Sequence, residues 1–139
     1  MARDAFISLL GANMVQDPAL LQSARTTLET LAEIGAQLGQ IPHFYDLSTD
    51  QPEFGFSGAD SSCWCIIGLA TLFRATGDRS LLGTDLDAPV DACGFVGFQD
   101  ANNSWLVDPP RGADWMDAAI QRAGKTLLNN VLSLAATGC

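Results

Sequence analysis

Apolar residues repeat at steps of three and four positions over residues 21–38. This spacing is typical of one face of an α-helix. Asp17 before Pro18 provides an acidic cap and a proline at the first helical position, and Gly39 follows the last apolar residue as a stop. The pattern therefore predicts a helix over 18–38. A shorter apolar run that ends at Gly11 predicts another helix, and the two are expected to form a helical hairpin.

A different pattern follows Ser61 and Ser62, where apolar residues occupy nearly every side of a helix that ends at Gly77. A helix that is apolar all round is buried between its neighbours, so this segment is predicted to lie inside the core. Trp64, within it, is predicted to be a core residue. Asp78 follows the terminal glycine and is predicted to cap a short helical segment over 79–83.

The hydrophobic pattern is mixed from Thr84 to Asp114. Two short runs of apolar and aromatic residues, over 94–98 and 104–107, are predicted to be short strands or extended passages. The residues between them, over 100–103, are predicted to form a turn. A last helix is predicted over 123–136, where apolar residues again recur at helical spacing. The fold class expected from the whole pattern is mainly α, with long irregular loops.

One of these loops, over 40–60, shows neither a helical nor a strand period. It is rich in Pro, Gly, Asp and Ser, yet it also holds His43, Phe44, Tyr45, Phe54 and Phe56. Disordered segments are poor in aromatic residues, and a loop of this length in a compact domain is often functional. The loop is therefore predicted to be an ordered binding loop, with His43 and Tyr45 as candidate ligand contacts.

Length and charge limit the classes of protein to consider. The chain has 139 residues, 47% of them hydrophobic, which suits a single domain over 1–139 with its own core. Sixteen acidic residues against seven basic ones give a formal charge of −9. This charge repels a phosphate backbone, so no nucleic-acid partner is expected.

Neither a signal peptide nor a membrane span is predicted. Asp4 lies where a signal peptide carries basic residues, and no cleavage site of small residues follows. Charged, Gly or Ser residues interrupt every apolar stretch well before the roughly 20 residues that a bilayer span needs. A cytoplasmic protein without membrane contact is therefore expected.

The sequence predicts neither a metal site nor a bound cofactor. Cys63, Cys65, Cys93 and Cys139 are too sparse for a disulfide scaffold, and the spacing of the first two points their thiols to different sides of one helix. Reduced cysteines that act as small apolar residues are expected. His43 is the only histidine, so no metal site of several histidines is expected, and no motif implies a cofactor.

Asp60 is the acidic residue at the mouth of the apolar helix, and two interpretations stay open from residue chemistry. As a cap, it accepts hydrogen bonds from the first backbone N–H groups and interacts favourably with the helix dipole. As a catalytic carboxylate, it lies at the wall of a cleft, where apolar neighbours raise its pKa so that it donates a proton.

Four segments resemble, in the same order, motifs of the glycogen-debranching, amylo-glucosidase type of glycoside hydrolases in the six-hairpin superfamily. They are RDAFISL over 3–9, GQIP over 39–42, ADSSCW over 59–64 with TGD over 76–78, and WMD over 115–117 with RAGK over 122–125. The resemblance extends over nearly the whole chain. It implies helical hairpins that form part of an (α/α)6 toroid.

The resemblance also implies an activity: hydrolysis of glycosidic bonds in an α-glucan or oligosaccharide with inversion. In that mechanism a carboxylic acid protonates the leaving oxygen while a second carboxylate activates water. Asp60 matches the family's general acid, and His43 stands where the family usually has asparagine. The other residues that the resemblance assigns to sugar contacts are Arg3, Asp4, Trp115 and Asp117.

The chain departs from the family at the general base, a glutamate in the later part of the barrel. Its only glutamates are Glu29, Glu33 and Glu53, and none lies in such a motif, so the base is expected to be missing from this chain. A partial toroid leaves apolar helix flanks exposed, which predicts self-association. Two alternatives remain: a non-catalytic carbohydrate-binding module, and a helical interaction protein whose motifs serve packing.

Overall fold

A computed structural model describes residues 1–35, 38–55, 58–81, 87–113, 119–120 and 122–138. These residues form a mainly helical fold, as predicted, with five helices and a two-stranded sheet. None of the described helices is both long and apolar enough to cross a membrane. The elements in chain order are α1 (Ala2–Val15), α2 (Pro18–Glu33), β1 (Phe44–Asp46), β2 (Gln51–Glu53), α3 (Gly58–Thr76), α4 (Asp87–Phe98) and α5 (Leu127–Thr137).

The predicted helical hairpin is present as α1 and α2, which pack against each other. Gln16, at φ 60° and ψ 23°, ends α1 in the left-handed conformation. The side chain of Asp17 then caps α2, because its Oδ1 accepts the N–H groups of Ala19 at 2.9 Å and Leu20 at 3.1 Å. The predicted start of α2 at Pro18 and the predicted cap by Asp17 are therefore both confirmed.

The predicted end of α2 is wrong, because the helix stops at Glu33 instead of Leu38. Leu38 is exposed, so the last apolar residue of the repeat does not belong to the buried face. Gly39 adopts φ +81°, and a Cβ on it would overlap the backbone of Asp91 in α4. The glycine therefore serves a close backbone contact between the loop and α4, not the end of α2.

Helix α3 is the centre of the core, as its all-round apolar pattern predicted. It packs against α1, α2, α4 and α5. Trp64 is half-buried and packs against the core, as predicted. Gly68 faces both α1 and α2, because a Cβ there would make ordinary contacts with Leu28 at 3.4 Å and Phe6 at 3.6 Å. The helix begins at Gly58, three residues before the predicted start.

The long loop before α3 contains a β-hairpin that the sequence pattern did not predict. Strand β1 pairs antiparallel with β2, and Tyr45 lies opposite Pro52. Strands of three residues are too short to show a clear alternation of apolar and polar positions. The hairpin is ordered by hydrogen bonds of its own, which agrees with an ordered loop.

Helix α4 corrects the prediction for Gly94 to Phe98, which was a short strand or extended passage. These residues form the last turns of α4. The buried residues of this helix are Pro89, Ala92 and Val96, at steps of three and four. This helical spacing was hidden by the β-branched and aromatic residues of the GFVGF run, whose intrinsic preference is for strands.

The segment after α4 contains the predicted turn but no strand. Asn103 N–H donates to the carbonyl of Asp100 at 3.4 Å, which closes the turn over 100–103. Trp105 has φ +64°, so Ser104 to Leu106 form a bend and not the predicted extended passage.

The last helix, α5, begins at Leu127, later than the predicted start at residue 123, and ends at Thr137. It buries Asn129, Leu132 and Ala136 and packs mainly against α3. The prediction of a helix in this part of the chain is confirmed. The predicted short helix over 79–83 is described only as far as Leu81, where Asp78 Oδ1 accepts the N–H of Ser80 at 2.9 Å.

Candidate functional site

Asp60 lies in the first turn of α3, with 0% of its surface exposed. Its Oδ1 accepts the N–H of Ser61 at 2.8 Å, and its Oδ2 accepts a hydrogen bond from Arg3 Nη1 at 2.7 Å. Since α3 begins at Gly58, Asp60 is the third helical residue and not the cap. Its negative charge still lies at the favourable end of the helix dipole.

Arg3 reaches Asp60 from the first turn of α1 and so joins two helices that are 57 residues apart in sequence. The Arg3 side chain is only 11% exposed, whereas that of Asp4 is 63% exposed. Asp4 Oδ1 lies 3.9 Å from Arg3 Nε. The result is a row of three charged groups, running from the exposed Asp4 through Arg3 to the buried Asp60.

Burial raises the pKa of Asp60 above its ordinary value, because the ionised form loses its hydration. The hydrogen bond and the charge of Arg3 act in the opposite direction, as does the electrostatic contribution of His43, but they offset the effect only in part. A carboxyl group with a raised pKa holds a proton at a higher pH than an exposed aspartate does. A raised pKa is the direction of shift that a carboxylic acid needs in order to act as a proton donor.

His43 is positioned beside this pair by backbone hydrogen bonds. Its carbonyl accepts the N–H of Ala2 at 2.9 Å, and its own N–H donates to the carbonyl of Glu53 at 2.8 Å. The loop is therefore attached both to the start of α1 and to β2. The imidazole packs edge-on against Phe44, with ring centroids 5.8 Å apart.

Ser62 fixes the loop from the α3 side. Its hydroxyl accepts the N–H of Ile41 at 3.2 Å and donates to the carbonyl of Gly39 at 3.4 Å. Ser62 and Ile41 are both buried. Since Asp60 and Ser62 share one helical turn, the same turn carries the carboxylate and positions the segment that leads to His43.

Three of the four segments singled out in the sequence thus meet at the start of α3. They contribute Arg3 from the first segment, residues 39–42 from the second, and Asp60 with Ser62 from the third. In the fourth segment, Trp115 and Asp117 lie outside the described residues, whereas Lys125 Nζ donates to Asn102 Oδ1 at 3.2 Å. The tertiary fold brings these segments together, although they are far apart in sequence.

Tyr45 serves the hairpin. Its hydroxyl donates to Asp50 Oδ1 at 2.6 Å across the turn between β1 and β2. This hydrogen bond is the largest of the effects that raise the pKa of Tyr45. The role of Tyr45 as a sugar contact remains a prediction, and its hydroxyl is already engaged within the hairpin.

The TGD segment has a structural explanation. Gly77 adopts φ +66° after the last turn of α3, which is the conformation that ends many helices. Asp78 Oδ2 lies 2.6 Å from Arg25 Nη1, and Arg25 Nε in turn lies 2.6 Å from Glu29 Oε1. This group of charges attaches the end of α3 to α2, far along the helix from Asp60.

The contacts of the three glutamates do not include Asp60. Glu29 pairs with Arg25 on α2, and Glu33 is exposed at the end of the same helix. Glu53 Oε1 accepts the N–H of Gly55 at 3.2 Å. None of these contacts places a glutamate in the position of a general base opposite Asp60.

The cysteines of α3 are not candidate nucleophiles. Burial raises the pKa of Cys63 and of Cys65 to about 12, and the nearby Asp60 adds to the effect at Cys63. A thiol with so high a pKa stays protonated and inert. The apolar role that the sequence predicted for these residues agrees with their burial.

Sequence reasoning missed Ser62 and the partner of Asp60. Ser62 was interpreted only as part of a helix start, although a hydroxyl beside a glycine-rich loop is a natural partner for loop backbone groups. Arg3 was assigned to sugar hydroxyls, whereas in the structure its Nη1 donates to Asp60. No local signal in the sequence connects two residues at this separation.

Comparison of the chain with protein-family models, with curated proteins and with solved structures finds no match.

Proposed function

We propose that this chain is a glycoside-hydrolase-like domain that acts on glycosidic bonds of an α-glucan or an oligosaccharide. Its helices are part of an (α/α)6 toroid, and Asp60 is the carboxylic acid of an inverting, two-carboxylate mechanism. The observation that carries the proposal is the burial of Asp60 between Arg3 and the His43 loop, with a raised pKa. The meeting of three family-like segments at this point supports it further.

The chemical role of Asp60 follows from its protonation. A protonated Asp60 donates its proton to the leaving glycosidic oxygen, which must come within hydrogen-bond distance of the carboxyl group. Oδ2 is occupied by Arg3 Nη1 in the present conformation. Substrate binding therefore has to move Arg3 away from Oδ2, after which the guanidinium is free to donate to a sugar hydroxyl.

Inversion requires a second carboxylate about 6.5–9.5 Å from the acid, with room for a water molecule between them. Glu29 pairs with Arg25 and Glu53 accepts the N–H of Gly55, so neither contact brings a glutamate to Asp60. Trp115 and Asp117, assigned to sugar contacts by the resemblance, lie outside the described residues. The proposal therefore assigns the acid to this chain and leaves the base unassigned.

A product assay on maltooligosaccharides tests the proposal. The wild-type chain is expected to release sugar with the inverted anomer, detected by NMR. Asp60→Asn is expected to lower the rate by about 100-fold or more, since it removes the general acid. Asp91→Asn, at an exposed aspartate on α4, is the matched control and should keep the wild-type rate. An inactive wild type, or an Asp60→Asn variant of undiminished rate, would contradict hydrolysis.

A second candidate function is carbohydrate binding without cleavage. The observation that favours it is that Asp60 is 0% exposed and bonded to Arg3, as expected for a structural ion pair. Calorimetric titration beside the product assay separates the candidates, because a binding module binds the oligosaccharide without releasing a product. In that case Asp60→Asn changes the stability of the chain and leaves its sugar affinity nearly unchanged.

A further inference from the structure

An open groove lies between α4 and α5, on a part of the molecule that the Asp60 site does not use. It has a volume of about 690 Å³. The bend after α4 closes one side of it. The lining is mostly apolar and includes Val96, Gly97, Leu106, Val131 and Leu134.

Trp105 stands at this groove and is held outward by the bend. Trp105 is 91% exposed, although tryptophan is largely buried in most proteins. The backbone adopts φ +64°, which is unfavourable for a bulky residue. Asp100 maintains this conformation, because Oδ2 accepts the N–H of Trp105 at 2.7 Å and Oδ1 that of Ser104 at 2.9 Å. Strained backbone held by specific contacts is typical of functional positions.

Helix α5 has two apolar faces. One is buried and carries Leu132 and Ala136. The other carries Leu127, Val131 and Leu134 at helical spacing, and all three are exposed. No charged residue occurs over 126–138. Neighbouring exposed apolar side chains often mark an interaction site, so this face of α5 is suited to packing against another protein surface.

We propose that this surface, formed by Trp105, Leu106 and the exposed face of α5, binds a second copy of the same chain in a two-fold symmetric dimer. An isologous interface requires a patch that is complementary to itself. This patch has a protruding indole beside an apolar groove, so each copy presents a knob and a hole on the same surface. Trp105 of each copy enters the groove of the other.

The exposed apolar area agrees with this occupant. Trp105, Leu127, Leu134, Val131 and Leu106 together expose roughly 400 Å² of apolar side-chain surface. A standard interface buries about 800 Å² on each partner, of which about 65% is apolar in homodimers. The patch therefore provides most of the apolar share of one stable interface.

Charge also distinguishes a second copy from a basic partner. Each chain carries a formal charge of −9, so two copies repel each other at long range, and added salt screens this repulsion. Dimerisation is therefore expected to strengthen as salt concentration rises. Binding of a positively charged partner to the same acidic chain would instead weaken as the salt concentration rises, because salt screens attraction as well as repulsion.

Sedimentation equilibrium of the full chain, in the presence of a reductant that keeps Cys93 in the groove from cross-linking, tests the proposal. The wild type is expected to dimerise. Trp105→Ala is expected to weaken the dimer by about 30-fold or more, as for the loss of an interface hot spot. Leu134→Asp, which places a charge in the groove, is expected to abolish it. Leu47→Ala, at an exposed leucine in the turn of the hairpin, is the control and should dimerise like the wild type.

Circular dichroism verifies that each variant keeps its helical content, and the two groove variants give independent readings if one fails to fold. A monomeric wild type at every concentration and salt would overturn the proposal and leave the face to a different protein. A dimer that survives both groove variants would place the interface elsewhere and would overturn it equally.

Discussion

At the scale of single residues, the pair of Asp60 and Arg3 dominates the electrostatics of the core. The carboxylate is fully buried, and the guanidinium is nearly so. Removing one partner of a buried pair leaves the other without compensation for its lost hydration, which costs more than the pair itself contributes. Substitution of Asp60 or Arg3 is therefore expected to lower the stability of the chain much more than substitution of the exposed Asp4 beside them.

Arg3→Leu is expected to destabilise the chain by about 3 kcal/mol, because Asp60 stays buried without its cationic partner. Urea unfolding followed by circular dichroism measures this loss. Asp4→Asn is the control, since Asp4 is 63% exposed and its contact with Arg3 spans 3.9 Å. It should change the free energy of unfolding by less than about 1 kcal/mol. Equal effects of the two variants would show that Arg3 does not compensate Asp60.

The raised pKa of Asp60 predicts a specific pH dependence of stability. In the unfolded chain Asp60 titrates near 3.8, whereas in the folded chain it keeps its proton to higher pH. Its contribution to stability is therefore fully present below about 3.8 and is lost as the pH rises through the folded pKa. The partly exposed Asp46, Asp78 and Asp100 have lowered pKa values and give the opposite trend.

Comparison of the wild type with Asp60→Asn isolates this contribution. The free energy of unfolding of the wild type minus that of the variant is expected to fall as the pH rises from about 4 towards neutrality. Urea unfolding at a series of pH values measures it. A difference that rises with pH would mean that Arg3 lowers the pKa of Asp60 below 3.8 and would remove the basis for a proton donor.

Asp60 could be singled out from the sequence because it is one acidic residue just before a long run of apolar residues. The sequence did not identify what surrounds Asp60. Burial and the hydrogen bond from Arg3 depend on how α1 packs against α3, and that contact spans 57 residues. Local patterns report the neighbours along a helix, but not which side chain arrives from another helix.

At the scale of elements, Gly39 shows how one backbone position connects the loop to α4. Its φ of +81° lies in the left-handed region, and a Cβ would overlap the Asp91 carbonyl. The main chains of the two segments are therefore in direct contact. A side chain at this position requires backbone movement and not merely a change of rotamer.

Gly39→Ala is therefore expected to cost more stability than Gly77→Ala. Gly77 has φ +66° but open space around its missing Cβ, so alanine there is expected to cost only about 1–2 kcal/mol of backbone strain. At Gly39 the same strain is joined by the overlap with α4. Urea unfolding of both variants measures the difference, and equal losses would contradict the close contact between Gly39 and Asp91.

A helix or strand could be predicted where residues next to each other in sequence determine it. The cap of Asp17 on α2 is such a case, and its hydrogen bonds are present. The strand predicted at Gly94–Phe98 failed because tertiary burial of Ala92 and Val96 on one helical face outweighs the strand preference of the residues around them. The β-hairpin escaped prediction since three-residue strands are defined by their pairing and not by their own sequence.

At the scale of the whole molecule, α3 is shared by two separate surfaces. Its first turn carries Asp60 and anchors the loop through Ser62. Further along, it packs against α4 and α5, which carry the groove beside Trp105. The mainly helical class was predictable from apolar periodicity. The position of these surfaces was not, because it depends on the contacts among α1, α3, α4 and α5.

The central claim is that the residues gathered around Asp60 form a carbohydrate site, and calorimetric titration with maltooligosaccharides tests it most directly. The wild type is predicted to bind in a saturable manner, with the product assay run on the same samples. Asp4→Ala is predicted to weaken binding by about 10-fold through loss of one charged hydrogen bond to a sugar, whereas Asp91→Ala on α4 should bind like the wild type. Absence of binding, or equal affinities of the two variants, would contradict a carbohydrate site at this position.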